Sequence, residues 1–266
     1  MKFRAAVATV ATLPLALGLA DCGNNDKPEA GRDWGKVPAA TPTAATTAES
    51  LKQAPVVHLN TASFLPAMKK GMAGKNSVRT TLRMVAGGQT MTVTGVQTMN
   101  PVAMQLDMKG AAFDGRMKMI LVKDIAYLST SDLPAGKYVK VDPDSNDPMA
   151  ATLGSMLDDL DPTKTFDAFD AGLQRAQYIK TETLDGRKVD RYAVTVDVAA
   201  AMKAQGEKVV AGMPKSLVYT IWMGSADRLM YKVVFEMQGV SATMTASDWG
   251  KPVTIKAPAA KDIVRR

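Results

Sequence analysis

The chain has 266 residues, of which 46% are hydrophobic, and its formal net charge at pH 7 is +7. This length and apolar content exclude a disordered chain and allow one large domain or two small ones. The positive surplus is compatible in principle with an anionic membrane surface or a nucleic acid. Because Lys and Arg are scattered along the sequence, we expect a solvated basic surface and no nucleic-acid partner.

The first 21 residues have the pattern of a secretory signal peptide. Lys2 and Arg4 precede an apolar stretch over residues 5–20, which is shorter than the roughly 20 residues needed to span a bilayer. The stretch ends in Leu19-Ala20-Asp21-Cys22, and Cys22 is the only cysteine. This ending resembles the lipobox of bacterial lipoproteins, which implies that Cys22 is acylated and becomes the first mature residue, anchored in the membrane outside the cytoplasm. If Asp21 prevents that processing, the protein is secreted without an anchor.

Residues 22–59 are predicted to form a disordered tether behind the acylated cysteine. They are rich in Ala, Thr, Pro and Asn, a composition typical of flexible linkers. A chain of this length spans on the order of 30 Å. The only histidine, His58, lies near its end, where a flexible segment cannot position the partners of a metal site or a catalytic triad.

Residues 60–258 are predicted to form one domain, followed by a tail over residues 259–266. Alternating apolar and polar residues indicate about eleven strands, connected mainly as hairpins. A first helix is predicted over residues 61–74, where Pro66 indicates a break or a late start. Further helices are predicted between the strands, including one over residues 148–160. Helices gathered on one side of a large antiparallel sheet indicate an α+β domain.

Residues 217–255 are predicted to form a closing antiparallel meander. In its middle strand Tyr231, Val233, Phe235 and Met237 fall on one face. The first strand is apolar on both faces, since Leu217, Tyr219 and Ile221 alternate with Val218, Thr220 and Trp222. We therefore expect apolar cover on both sides of this strand.

Motifs for catalysis, metal binding or nucleotide binding are weak in this sequence. Asp142, Asp144 and Asn146 match the start of a calcium loop, but position six is Asp147 and position twelve is Leu153 instead of Gly and Glu. We interpret this segment as a helix-capping turn. The sequence has no Gly-x-Ser-x-Gly and no Gly-rich phosphate loop. We expect no enzymatic activity, no cofactor and no metal.

The end of the domain carries the most specific pattern, Asp248-Trp249-Gly250-Lys251-Pro252-Val253-Thr254-Ile255-Lys256-Ala257-Pro258. Together with the lipobox-like Cys22 and the tether, it resembles actinobacterial lipoproteins of the LppX/LprA/LprF/LprG group, in which an aspartate and glycine lead into a Pro-Val-Thr-Ile-type strand. The resemblance implies a fold similar to the LolA/LolB lipoprotein carriers. That fold is a strongly curved half-barrel of antiparallel strands with helices on the concave face and an apolar cavity for acyl chains.

Many of the 18 methionines fall on predicted strand positions, where their adaptable side chains suit an irregular apolar ligand or an ordinary core equally. The candidate cavity residues are Met104, Met117, Met119, Leu121, Tyr219, Ile221, Tyr231, Val233, Phe235 and Met237. These features favour a monomeric, non-enzymatic lipoprotein that binds or transfers lipids or acylated glycolipids. A cell-envelope binding or signalling module without a lipid is the alternative, and an envelope hydrolase is the third hypothesis.

Overall fold

The computed structural model describes residues 57–113, 115–141, 162–209 and 212–264. From Leu59 onward these residues belong to one compact unit. The predicted signal peptide, Cys22, most of the predicted tether, the calcium-like loop and the helix predicted over residues 148–160 lie outside the described residues.

Twelve described strands form a single open, curved sheet, and this confirms the predicted α+β class. Their order in the sheet is β12-β6-β5-β4-β3-β2-β1-β11-β10-β9-β8-β7. Neighbouring strands are antiparallel except for β12, which pairs in parallel with β6. The strands are β1 Ser77–Ala86, β2 Gln89–Met99, β3 Val102–Gly110, β4 Gly115–Val122, β5 Ile125–Ser129, β6 Tyr138–Val141, β7 Leu173–Leu184, β8 Arg187–Asp197, β9 Ser216–Gly224, β10 Met230–Met237, β11 Val240–Ser247 and β12 Ile263–Val264.

The end of the chain differs from the prediction in two ways. Residues 251–259 contain no strand, although the sequence pattern predicts one around Val253 and Ile255. The sheet instead gains β12 from the predicted tail, after a 3₁₀ turn over Ala260–Asp262. The chain therefore runs from β11, near the middle of the sheet, to the edge beside β6.

Three described helices accompany the sheet: α1 Thr61–Met72, α2 Pro162–Gly172 and α3 Val198–Ala204. A reciprocal capping box starts α1, in which Asn60 Oδ1 accepts from the Ser63 N–H at 3.0 Å and Ser63 Oγ accepts from the Asn60 N–H at 2.9 Å. The expectation that Pro66 breaks or delays this helix is wrong. Pro66 and Ala62, whose carbonyl loses its helical partner, are both exposed, so water can hydrate that carbonyl.

Strand register divides the side chains cleanly between two faces of the sheet. Directly paired residues point to the same side, so cross-strand partners trace one face from strand to strand. One such row defines the inner face: Tyr192, Ile221, Val233, Met244, Leu82, Val93, Met108 and Met117. The helices pack on this face, where the Phe64 ring of α1 meets the Tyr192 ring edge-on at 5.2 Å between centroids.

Around β9 the opposite, outer face has no apolar layer over it, so the expectation of apolar cover on both sides of β9 is wrong. Val218 is 53% exposed, and Trp222 is only partly buried. The Lys232 ammonium lies 4.8 Å from the Trp222 ring centroid, and the Trp222 Nε1–H donates to Glu182 at 2.7 Å. Long cationic side chains thus cover the indole where an apolar layer was expected.

A buried carboxylate joins the edge of the sheet to the meander. Asp190 on β8 is 1% exposed and accepts hydrogen bonds from Thr181 Oγ1 at 2.7 Å, Ser225 Oγ at 2.8 Å and the Arg228 guanidinium at 3.0 Å. Burial alone raises the pKa of Asp190, but these three hydrogen bonds and the Arg228 charge outweigh it and hold the pKa below its ordinary value. The ionised carboxylate therefore stabilises the fold.

We predict that Asp190→Asn lowers the free energy of unfolding by about 3 kcal/mol, because it leaves the Arg228 charge without its buried partner. In the wild type this contribution is complete above the unfolded pKa, near the ordinary value of 3.8, and is lost as the pH falls through the lower folded value. Chemical denaturation from pH 7 to pH 2 measures both effects.

Asp248→Asn serves as a control for that experiment, because Asp248 makes only solvent-exposed ion pairs with Arg79 and Lys251. We expect it to change stability little. Equal stability of Asp190→Asn and wild type at neutral pH would contradict the structural role of Asp190.

Candidate functional site

The structure places nine of the ten predicted site residues on the inner face. Met104 pairs with Leu121, and Met119 with Leu128, on the first half of the sheet. On the other half, Tyr219 pairs with Phe235. The nine residues are Met104, Met117, Met119, Leu121, Tyr219, Ile221, Val233, Phe235 and Met237.

Tyr231 is the exception, because a β-bulge interrupts the alternation of β10. Met230 pairs with Met223 and Lys232 pairs with Trp222, so an extra residue stands between the two pairs. The Tyr231 hydroxyl donates to Asp227 Oδ2 at 2.6 Å, and the Arg187 guanidinium lies 4.0 Å from its ring centroid. Burial and the neighbouring Asp227 carboxylate raise the pKa of Tyr231. The bulge thus takes Tyr231 out of the alternation of β10, although its side chain remains buried in the same apolar core as Tyr219 and Phe235.

Two apolar clusters divide the inner face. The first joins all three helices to strands β1 and β7–β11, and it contains Tyr219, Ile221, Phe235 and Met237. The second contains Met104, Met119 and Leu121 together with Met108, Ala126, Leu128, Val139 and Val141. No helical residue among the described segments belongs to the second cluster, so the described helices cover only one half of the sheet.

A half-exposed apolar strip lies across the middle of the inner face. We define the apolar strip as Met91, Val93, Leu106, Met117 and Val233, each of which is neither buried nor fully exposed. Val93 packs against both clusters and links them. Leu106 pairs with Gly95, where an added Cβ would overlap its Cδ2 atom, so the leucine lies over the bare backbone of β2. Four of these residues lie on β2–β4, where the two clusters meet, whereas Val233 lies on β10 within the first cluster; all five leave some apolar surface in contact with solvent.

Charge is almost absent from the inner face. Among described strand residues that share this face, only Lys188 and Asp190 are of the types Asp, Glu, Lys, Arg or His, and both lie near the start of β8. The described residues contain no group of three His, Cys, Asp or Glu that could hold a metal ion. The face can therefore hold an apolar molecule but offers no acid–base pair near the strip.

One polar group on the inner face lacks a partner. Tyr219 is 1% exposed, and its ring lies 6.1 Å from Phe169 and 5.5 Å from Phe235, between centroids. Its buried hydroxyl has no hydrogen-bond partner among the described residues, and burial raises the pKa of Tyr219. The Tyr192 hydroxyl, by contrast, accepts from the Leu59 N–H at 3.3 Å. An unpaired buried hydroxyl is costly, so it is available to a ligand that brings an acceptor.

Sequence reasoning did not identify Met91, Val93 and Leu106 as site residues. The alternation of β2 places Met91 and Val93 on one side, but it does not say which side is inner. The register supplies that information by pairing Val93 with Leu82 and Met108. Each of these residues was identifiable as a strand residue before its face was known.

No helix among the described residues is long and apolar enough to cross a membrane.

Comparison with known proteins identifies the family. The sequence profile of the LppX_LprAFG lipoprotein family matches residues 62–255. The crystal structure of LppX from Mycobacterium tuberculosis is similar with a TM-score of 0.52 and 15% identity, over 73% of this chain and 99% of LppX. LprF from Mycobacterium bovis is similar with a TM-score of 0.55 and 18% identity, over 75% of this chain and 97% of LprF. No curated protein sequence matches this chain.

The two structural similarities show the fold alone, because the identities are low. The family profile covers most of the chain and confirms the resemblance predicted from the sequence. The chain belongs to the LppX_LprAFG lipoprotein family.

Proposed function

We propose that this protein is a membrane-anchored lipoprotein of the cell envelope whose inner face binds the acyl chains of a lipid or an acylated glycolipid. The observation that carries the proposal is the half-exposed apolar strip between two packed clusters. The protein acts as a monomeric binder or carrier and performs no catalysis on its ligand.

The energetics of the strip favour an acyl chain as its ligand. Each methylene group transferred from water to an apolar site contributes about 0.8 kcal/mol. A flexible chain can follow the path from Val93 on β2 through Leu106 on β3 to Met117 on β4, where the side chains are half-buried on neighbouring strands. The thioether side chains along it adapt to irregular contacts without a polar cost.

The scarcity of charge on the inner face supports a position of the lipid headgroup outside this face. A phosphate or sugar at the centre of this face would lose its water without gaining charged partners. The ligand therefore lies with its chains on the strip and its polar group towards solvent, as expected for a carrier that takes lipids from one membrane surface and delivers them to another.

Adjacent residues on β10 test which face binds the lipid. Val233 lies on the inner face and Val234 on the outer face, and both are half-buried. We predict that Val233→Glu weakens phospholipid binding about tenfold or more, because a carboxylate would be desolvated against the chains. Val234→Glu should bind as wild type does.

Native mass spectrometry of the protein incubated with phospholipid, followed by solvent extraction of the bound molecule, measures this difference. Val93→Gln on the inner face and Thr94→Gln on the outer face form a second matched pair in case Val233→Glu unfolds. If the wild-type protein takes up no phospholipid or acylated glycolipid and instead binds a protein partner, it is a binding module without a lipid ligand.

The Tyr219 hydroxyl gives the ligand site a specific polar contact. We predict that Tyr219→Phe leaves the free energy of unfolding unchanged or slightly higher, because it removes an unpaired buried hydroxyl. We also expect it to weaken binding of an ester-linked lipid about fivefold, by loss of a hydrogen bond to the ester carbonyl. Binding of the matching ether-linked lipid should not change.

Tyr192→Phe is the control for this change. The Tyr192 hydroxyl already has a backbone partner, so its removal should lower stability by about 1 kcal/mol without any preference between ester and ether lipids. If Tyr219→Phe weakened binding of the ester-linked and the ether-linked lipid equally, the proposed contact with the ester carbonyl would be ruled out.

The proposed anchor is tested separately, because Cys22 lies outside the described residues. We predict that Cys22→Ala moves the protein from the membrane fraction into the medium, as judged by immunoblotting of fractionated cells. Cys22 is the only thiol, so the change affects no internal disulfide. A wild-type protein already present in the medium would mean that Asp21 blocks lipidation.

A further inference from the structure

The outer face gathers cations that the sequence separates widely. Lys180 on β7 pairs with Arg191 on β8, and Arg191 pairs with Trp222 on β9. Trp222 in turn pairs with Lys232 on β10. These four residues lie side by side on the outer face, although more than 50 positions separate the first from the last. Strand pairing, and no single basic stretch, creates the cluster.

The neighbouring row on the same face adds three more cations. Arg83 on β1 pairs with Thr92, Thr92 with Lys109 on β3, and Lys109 with Arg116 on β4. The side chains of Arg83, Lys109 and Arg116 are exposed. Positive charge therefore extends across two adjacent rows of the outer face, while the inner face is nearly free of charge.

Carboxylates on this face only partly neutralise it. Glu182 forms an ion pair with Lys180 and lies 3.7 Å from the Arg191 guanidinium, and Asp107 forms an ion pair with Arg116. The Lys180 ammonium and then the Trp222 indole hold the pKa of Glu182 below its ordinary value, so it stays ionised. Lys232, Arg83 and Lys109 form no ion pair with a described carboxylate within 4.0 Å.

Trp222 adds an aromatic group to the centre of this basic surface. Lys232 and Arg191 lie 4.8 and 6.0 Å from its ring centroid. Val218, four residues earlier on the same strand and the same face, is 53% exposed. Amphipathic tryptophan rings concentrate where a bilayer meets water, and nearby Lys and Arg are attracted to anionic lipid headgroups.

We propose that the outer face around Trp222, with Lys180, Arg191, Lys232 and Arg83, docks on the surface of an anionic lipid bilayer. Charge complementarity identifies the partner, and the exposed Val218 and half-buried Trp222 beside the cations favour a bilayer over a nucleic acid. The surface is distinct from the lipid-binding strip on the opposite face. It holds the domain against the membrane, within the reach of about 30 Å that the predicted tether allows.

Vesicle co-sedimentation tests this proposal with the chain from Gly23 onward, made without the signal peptide and Cys22 so that no acyl anchor contributes. We expect binding to vesicles that contain phosphatidylglycerol, little binding to pure phosphatidylcholine vesicles, and weakening as salt is raised. The triple change Lys180→Gln, Arg83→Gln and Lys232→Gln should weaken binding to the anionic vesicles about 100-fold, since each cation near the surface contributes about fivefold.

A matched triple change on the helix side of the domain, Lys70→Gln, Lys203→Gln and Lys208→Gln, alters net charge equally at three exposed positions. It should bind anionic vesicles nearly as wild type does. Equal loss in both variants, or equal binding to the two kinds of vesicle, would overturn the proposal. The proposal would also be overturned if the outer-face triple variant lost binding to duplex DNA but still bound anionic vesicles as wild type does. Phospholipid uptake measured by native mass spectrometry is a separate readout, so failure here leaves the proposed function standing.

Discussion

Strict alternation of side chains across one long sheet is the constraint on which this structure depends. Register carries the alternation through twelve strands, so one face is apolar from Tyr192 on β8 to Val139 on β6. The other face carries threonine, serine and cations. A shift of one residue in any strand would exchange its apolar and polar sets between the faces. The apolar strip and the basic outer face thus have a common origin in strand pairing.

Uneven cover of the inner face separates a packed core from a candidate binding surface. The described helices pack over β7–β11 and β1, where Phe64, Phe166 and Phe169 enter the first cluster. The second cluster contains only strand residues, and Phe113 of the 3₁₀ turn Ala111–Phe113 packs against it. The apolar strip consists of half-buried side chains of β2–β4, where the two clusters meet, and of Val233 on β10. An acyl chain bound there would join two regions that are already ordered.

Much of this arrangement could be predicted from the sequence, because alternation is a local signal. The alternation of apolar and polar residues located the strands, and it placed nine of the ten predicted site residues on one face without knowledge of the register. It did not reveal the β-bulge at Tyr231, since a single inserted residue leaves no distinct local pattern. It also treated Lys180, Arg191 and Lys232 as scattered. Residues far apart in the chain become neighbours only through strand order, which one sequence does not specify.

The most direct measurement of the central claim is photo-cross-linking with a phospholipid that carries a diazirine in its acyl chain, followed by peptide mass spectrometry. The structure predicts adducts on inner-face residues of β2, β3, β4 and β10, namely Met91, Val93, Leu106, Met117 and Val233. Their outer-face neighbours Thr92, Thr94 and Val234 should remain unlabelled. Adducts confined to those outer positions, or a protein that forms no adduct at all, would contradict lipid binding by the inner face.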